Sequence, residues 1–175
     1  MTLAADGALV TAVDGLGHGR EAARAAQIAG DVVRTFAGDA LTSLVRRCHE
    51  ALSQTRGAAI SLAYISTSAS TVTWLGIGSV EGRLVTGGPV PRSRRSLGLV
   101  RGIVGDQLLP VRPATLEIRR GDIVILATDG IDRGFADALD PWGSPQEIAE
   151  RILVNHGKVT DDALVVVLRY LDGHR

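Results

Sequence analysis

This sequence predicts a single mixed domain, rich in sheet and of α/β or α+β class, and three observations carry the prediction. Its 175 residues suit one folding unit, and 45% hydrophobic residues are enough for a sizeable core. Twenty-one glycines beside only 3% aromatics imply many tight turns around a core of Ala, Val, Leu and Ile. The hydrophobic period also changes, from helical spacing near the start to short β-branched runs in the middle.

The elements follow in order. Ala8–Val13 reads as a strand running into Asp14-Gly-Leu-Gly-His-Gly19. A helix over Arg20–Phe36 places Ala22, Ala26, Ala29, Val33 and Phe36 on one narrow face, small enough to lie close to a sheet. A second helix, Ala40–Gln54, turns Leu41, Leu44, Val45, Cys48 and Leu52 inward and Arg46, Arg47 and Glu50 outward. Ala58–Ile65, Thr71–Ile77 and Arg83–Thr86 are short, β-branched and separated by Ser or Gly, which predicts an antiparallel meander. Gly87–Arg95 (GGPVPRSRR) is a loop, followed by short strands near Ile103, at Thr115–Ile118 and at Ile123–Ala127. Ser144-Pro-Gln-Glu147 is a capping box with proline at the first helical position; its helix runs to about Asn155 and closes at Gly157. Ala163–Tyr170 is apolar almost throughout and is expected to be a central strand.

Composition removes several function classes. Nineteen basic residues balance 19 acidic ones, so no cationic footprint marks a nucleic-acid or anionic-membrane partner. No apolar run approaches the roughly 20 residues needed to cross a bilayer, and no signal pattern opens the chain. One cysteine provides neither an internal disulfide nor a Cys-rich zinc site, and a cytoplasmic location is expected.

Three acidic residues share a context: Asp14 and Asp129 end apolar strands, and Asp161 precedes one. Strand ends are rigid places from which to aim a short carboxylate. Gly15 and Gly130 remove side chains, so that a metal or phosphate can approach the backbone. Converging carboxylates repel, and hard divalent cations such as Mg²⁺ and Mn²⁺, which prefer oxygen ligands, relieve that repulsion. Asp-Gly is equally a turn dipeptide, so spacing alone leaves both readings open. A dinucleotide loop at Gly15–Gly19 fails, because Arg20 stands where that fingerprint requires glycine.

The runs Val13-Asp-Gly-Leu-Gly-His-Gly19, Leu126-Ala-Thr-Asp-Gly-Ile131 and Thr160-Asp-Asp-Ala163, in that order, resemble the metal-dependent protein phosphatase (PPM) superfamily. The SpoIIE/RsbX branch is the nearest in pattern, with further likeness at Trp74–Gly82 and Gly102–Gly105. The resemblance implies an α+β fold: a β-sandwich of two mainly antiparallel sheets between helical layers, with the site at one end between the sheets. It implies two Mn²⁺ or Mg²⁺ ions, Asp14 bridging both, the Gly15 carbonyl on the second, and Asp129 and Asp161 on the first. It further implies attack of metal-activated water on phosphoserine or phosphothreonine, without a phosphoenzyme. Substrates of an RsbX-type enzyme would be phosphorylated STAS-domain proteins of a bacterial stressosome-like signalling complex, in a stress response. Relatives carry a Gly-Asp pair on an earlier strand, and only 13 residues precede Asp14 here. Residues 1–175 are therefore expected to form one phosphatase domain lacking the first family strand, with Asp6 in an Asp6-Gly7 turn, the second metal site weakened and a sheet edge left open.

Other residues hold lesser roles. His18 is a candidate for phosphate or leaving-group contact, or a loop histidine that only positions its turn, and Asp162 for contact with metal-bound water, or a solvent-facing neighbour. Arg92, Arg94 and Arg95 form a compact positive loop, read either as a solvated loop or as a contact for an acidic protein substrate. Cys48 belongs to the core. Two alternatives accompany the phosphatase reading: a catalytically weak PPM-fold binding module, and a small-molecule phosphohydrolase.

Overall fold

A computed structural model describes residues 1–4, 6–86 and 94–171. Its strands are β1 (Thr2–Ala4), β2 (Gly7–Gly15), β3 (Ala58–Ser66), β4 (Thr71–Ile77), β5 (Glu81–Val85), β6 (Arg94–Leu97), β7 (Leu99–Val100), β8 (Ala114–Glu117), β9 (Ile123–Ala127) and β10 (Val165–Arg169). The helices are α1 (Arg20–Thr35), α2 (Leu41–Leu52) and α3 (Pro145–His156), with a 3-10 turn at Arg133–Ala136.

Two sheets result. One runs β1-β2-β3-β4-β7, with β8 also on β4; the other runs β10-β9-β5-β6. All pairs are antiparallel except β4–β7. Strand alternation sorts the apolar residues into three cores. Leu9, Ile60, Leu62, Leu75 and Ile77 meet α1 and α2. Val10, Ala12, Ala63, Trp74, Leu84, Val124 and Leu126 fill the space between the sheets. Ile123, Ile125 and Ala127 meet the 3-10 turn and α3. The layers are α/β/β/α, as the resemblance implies.

Both long helices begin and end close to where their periodicity places them. The inward face of α2 is as expected, and that of α1 is rotated slightly. Ala22, Ala25, Ala29 and Val33 are its buried residues, whereas Phe36 is 36% exposed and lies under the Arg47 guanidinium, 4.0 Å from the ring centroid. Cys48 is a core residue: burial pushes its thiol up to about 12, and its Sγ faces the Ala29 carbonyl. The capping box of α3 is complete, with Ser144 Oγ accepting from Glu147 N at 3.2 Å and the Glu147 carboxylate accepting from Ser144 N at 2.6 Å.

Three expectations need correction. The middle strands do not form one meander, because β5 crosses to the second sheet and leaves β4 flanked by β7 and β8. Near Ile103 there are only isolated bridges, Ala58 to Val104 and Gly102 to Leu108. β10 is an edge strand. Its apolar run reflects two covered faces, with Val166 and Leu168 toward the sandwich interior and Val165 and Val167 toward α3. A short strand precedes β2: β1 pairs with it from Thr2–Leu9 to Ala4–Gly7 and carries no Gly-Asp pair. It covers only that end of β2. Asp6 lies in the β1–β2 turn, where its carboxylate accepts from the Tyr64 hydroxyl and from Ser68 Oγ at 3.2 Å.

Candidate metal centre

Side-chain parity brings Asp14 between the sheets. Along β2, Leu9 and Val13 face the helices while Val10 and Ala12 face the interior, so Asp14 continues the interior row. The same parity applies to the backbone. Ala58, opposite Gly15, exchanges both its bonds with Val104, at 2.9 and 3.0 Å. The Gly15 carbonyl is therefore not taken up by β3.

Asp129 and the Asp161–Asp162 pair arrive from the other sheet. β9 and β10 pair antiparallel, Ala127 opposite Val165, so the exit of β9 and the entry to β10 share one end. Thr128 N donates to the Leu164 carbonyl at 3.1 Å and Thr128 Oγ1 accepts from Leu164 N at 2.9 Å. Asp161 Oδ1 accepts from Asp162 N at 3.0 Å.

The four carboxylates meet electrostatically at Asp14. Its carboxyl is pushed up to about 6 by burial first, then by the Asp129 charge, a hydrogen bond to the Asp129 side chain, and the Asp161 and Asp162 charges. Asp14 is half-buried; Asp129, Asp161 and Asp162 are exposed. Among the described residues no three His, Cys, Asp or Glu side chains are placed close enough together to hold a metal ion as they stand. An oxygen-only, partly solvated donor set of this kind suits Mg²⁺ or Mn²⁺, which keep several waters, and a divalent cation would relieve the crowding that raises Asp14. The residues present fit such an ion.

The glycines beside the aspartates are explained differently from the expectation. A Cβ on Gly15 would lie 2.0 Å from the Ala22 carbonyl oxygen, and one on Gly130 would lie 2.1 Å from that of Asp162. Backbone of α1 and of the Asp162 segment fills the space that a side chain would need at these two positions. Gly15 lets α1 rest on the strand carrying Asp14, and Gly130 lets the Asp161–Asp162 segment rest on the turn carrying Asp129.

His18 is exposed in the Gly15–Gly19 loop. Arg92 lies outside the described residues. Arg94 and Arg95 belong to a strand rather than a loop, at the end of the second sheet away from Asp129: Arg94 pairs with Val85, and Val85 with Ile123. Arg94 is also occupied, its guanidinium donating to the carbonyls of Asp137 and, at 3.0 Å, Leu139. Two cations that the sequence reading passed over do stand at the site. Arg56 pairs with Glu21 at 2.7 Å and lies against Gly17, and Lys158 Nζ donates to the Asp129 carbonyl at 2.5 Å. Neither sits in a recognisable motif.

The Asp14 shift predicts a pH effect on the metal-free protein. A carboxyl whose folded value is raised stabilises the fold fully below its unfolded value of 3.8, and that contribution is lost as pH rises through about 6. In chelator, the melting temperature of the wild type should therefore fall relative to that of Asp14→Asn between these values. A constant difference across that window would show that Asp14 is not held protonated by its neighbours.

Known proteins resemble this chain throughout. The profile of the Stage II sporulation protein E (SpoIIE) family matches residues 5–171. The phosphoserine phosphatase RsbX of Bacillus subtilis (strain 168) is 28% identical over 128 residues, 73% of this chain and 63% of RsbX. The match thus spans less than two-thirds of that relative. A solved chain from work on the bacterial stressosome, described as a modular system adapted to control secondary messenger signaling, superposes with a TM-score of 0.82 at 25% identity, covering 92% of this chain and 84% of its own. RsbX in complex with magnesium gives a TM-score of 0.82 at 22% identity, covering 95% and 82%. At that identity the second likeness concerns the fold alone.

Proposed function

The chain belongs to the SpoIIE family, of PPM fold, and from that premise we propose that it is a metal-dependent protein phosphatase acting on phosphoserine and phosphothreonine. The observation that supports the reading is the Asp14 carboxyl, pushed up to about 6 by burial and by the charges of Asp129, Asp161 and Asp162 from the other sheet. Asp14, Asp129, Asp161 and the Gly15 carbonyl hold the cations, two Mn²⁺ or Mg²⁺ in the full complement. Divalent ions there would supply an activated water and neutralise the phosphoryl charge. The protein contributes rigid strand ends that fix the carboxylates and an open rim that admits a phosphorylated side chain. His18 and Asp162, exposed on the segments that carry Asp14 and Asp161, are the side chains offered to substrate and solvent.

The RsbX relative and the stressosome-related structure support phosphorylated STAS-domain proteins of a stressosome-like complex as substrates, in the cytoplasm. No helix among the described residues is long and apolar enough to cross a membrane.

The test is turnover by the purified chain in Mn²⁺, using a phosphoserine STAS protein, p-nitrophenyl phosphate and a panel of phosphorylated metabolites. Preference for the phosphoprotein, abolished by chelator, is expected. No turnover with metal bound would favour the binding module, and preference for a metabolite would favour the small-molecule phosphohydrolase. One observation favours the module: β1 carries no carboxylate, only Thr2, Leu3 and Ala4. Calorimetry distinguishes two bound ions from one.

A further inference from the structure

We propose that Lys158 is a positioning residue that sets the spacing between Asp129 and Asp161, and through it the affinity for divalent cations. The proposal rests on the metal-site reading above. Lys158 is the only lysine in the chain. It lies in the connection between α3 and β10, and its three polar groups reach both acidic segments. Its side-chain Nζ donates to the Asp129 carbonyl at 2.5 Å. Its backbone N donates to the Gly130 carbonyl at 2.8 Å, and its own carbonyl accepts from Asp161 N at 3.4 Å.

The flanks of the Asp129 turn are already gripped. Asp132 N bonds the His156 carbonyl at 2.8 Å, Ile131 bridges Gly157, and Thr128 N bonds the Leu164 carbonyl at 3.1 Å. Between these flanks the Asp129 carbonyl is held by the ammonium. A charged donor makes a stronger bond to a carbonyl than a neutral one does, so the tether resists rotation of the peptide that aims the Asp129 carboxylate. Partners of this kind, which orient a ligand without touching the metal, typically alter metal affinity by about 10–100-fold when removed.

The positive charge works in the opposite direction, since an ammonium near a cation site opposes metal binding. Lys158 is exposed, and salt screens that opposition. Orientation should therefore dominate, and the two effects differ in sign.

The experiment is calorimetric titration of Mn²⁺ into the full chain, without substrate, for the wild type, Lys158→Met and Lys158→Arg, with melting curves in chelator. Lys158→Met should bind Mn²⁺ about tenfold more weakly with an almost unchanged melting temperature, and Lys158→Arg should restore wild-type affinity. Equal or tighter binding by Lys158→Met overturns the tether and leaves only a charge effect. If the methionine variant fails to fold, Lys158→Gln gives the same comparison. A wild-type chain that binds no Mn²⁺ overturns the metal reading together with the tether, so the two failures are distinguishable.

Discussion

Asp14→Asn should lower kcat/KM on a phosphoserine substrate by at least about 100-fold, the scale expected when charge stabilisation of a transition state is lost. The substitution keeps the shape of the side chain, so β2 and its pairing with β3 should survive. It removes the carboxylate that β2 turns toward the interior, leaving Asp129, Asp161 and Asp162 without the Asp14 charge across the sandwich. Asp14 is proposed to hold both ions, so added Mn²⁺ should recover little of the activity. Asp129→Asn, which touches one ion, should recover more. Stability should move in the opposite direction. At neutral pH the Asp14 carboxyl is ionised although burial and then its acidic neighbours push it up to about 6, and a neutral amide escapes both costs. In chelator at neutral pH the variant should melt above the wild type. Near-normal activity in Asp14→Asn would remove Asp14 from the metal centre.

Much of this was legible because local signals agreed with the fold. The Ser144–Glu147 capping box fixed the start of α3, and the apolar spacing of Leu41, Leu44, Val45, Cys48 and Leu52 fixed α2 and its inward face. The three aspartates were found by motif and order, and their meeting depends on sheet register, which a single sequence does not state. Short edge strands were not legible. β1 has three residues and β7 two, too few to show alternation. β6 reads Arg-Arg-Ser-Leu, where pairing with β5 overrides a loop composition.

β10 was misplaced for a related physical reason. A continuous apolar run reports that both faces are covered, here by the sandwich interior and by α3, and does not distinguish one lateral neighbour from two. Lys158 was invisible for another reason: a solitary lysine after a helix carries no spacing, and its relation to Asp129 exists only once β9 and β10 have paired.

Gly130→Ala should separate Asp129 from the Asp161–Asp162 segment while leaving the fold intact. The added methyl would stand 2.1 Å from the Asp162 carbonyl oxygen, 2.8 Å from its carbon and 3.0 Å from Ala163 Cα. All three are backbone atoms, so no rotamer change relieves the overlap. Gly130 does not hold a positive φ, so alanine meets no conformational penalty there and the effect is steric. Either the Asp161–Asp162 segment moves out or the Asp129 turn moves back. Both weaken the bonds from Lys158 N to the Gly130 carbonyl and from Thr128 N to the Leu164 carbonyl. Overpacking of this kind typically costs about 1–3 kcal/mol. The larger effect should fall on the site, because a shift of about 1 Å between ligands is enough to spoil a metal centre, and the Mn²⁺ concentration for half-activation should rise at least about tenfold. Gly30→Ala is the control: it sits within α1, a methyl there meets nothing within 4 Å, and helix propensity should make it more stable by about 0.5–1 kcal/mol. Melting curves and Mn²⁺ activation for the two variants should therefore move in opposite directions in stability and differ in metal dependence. If Gly130→Ala keeps the wild-type Mn²⁺ dependence, the close approach of the Asp162 backbone is not what sets the distance between Asp129 and Asp161.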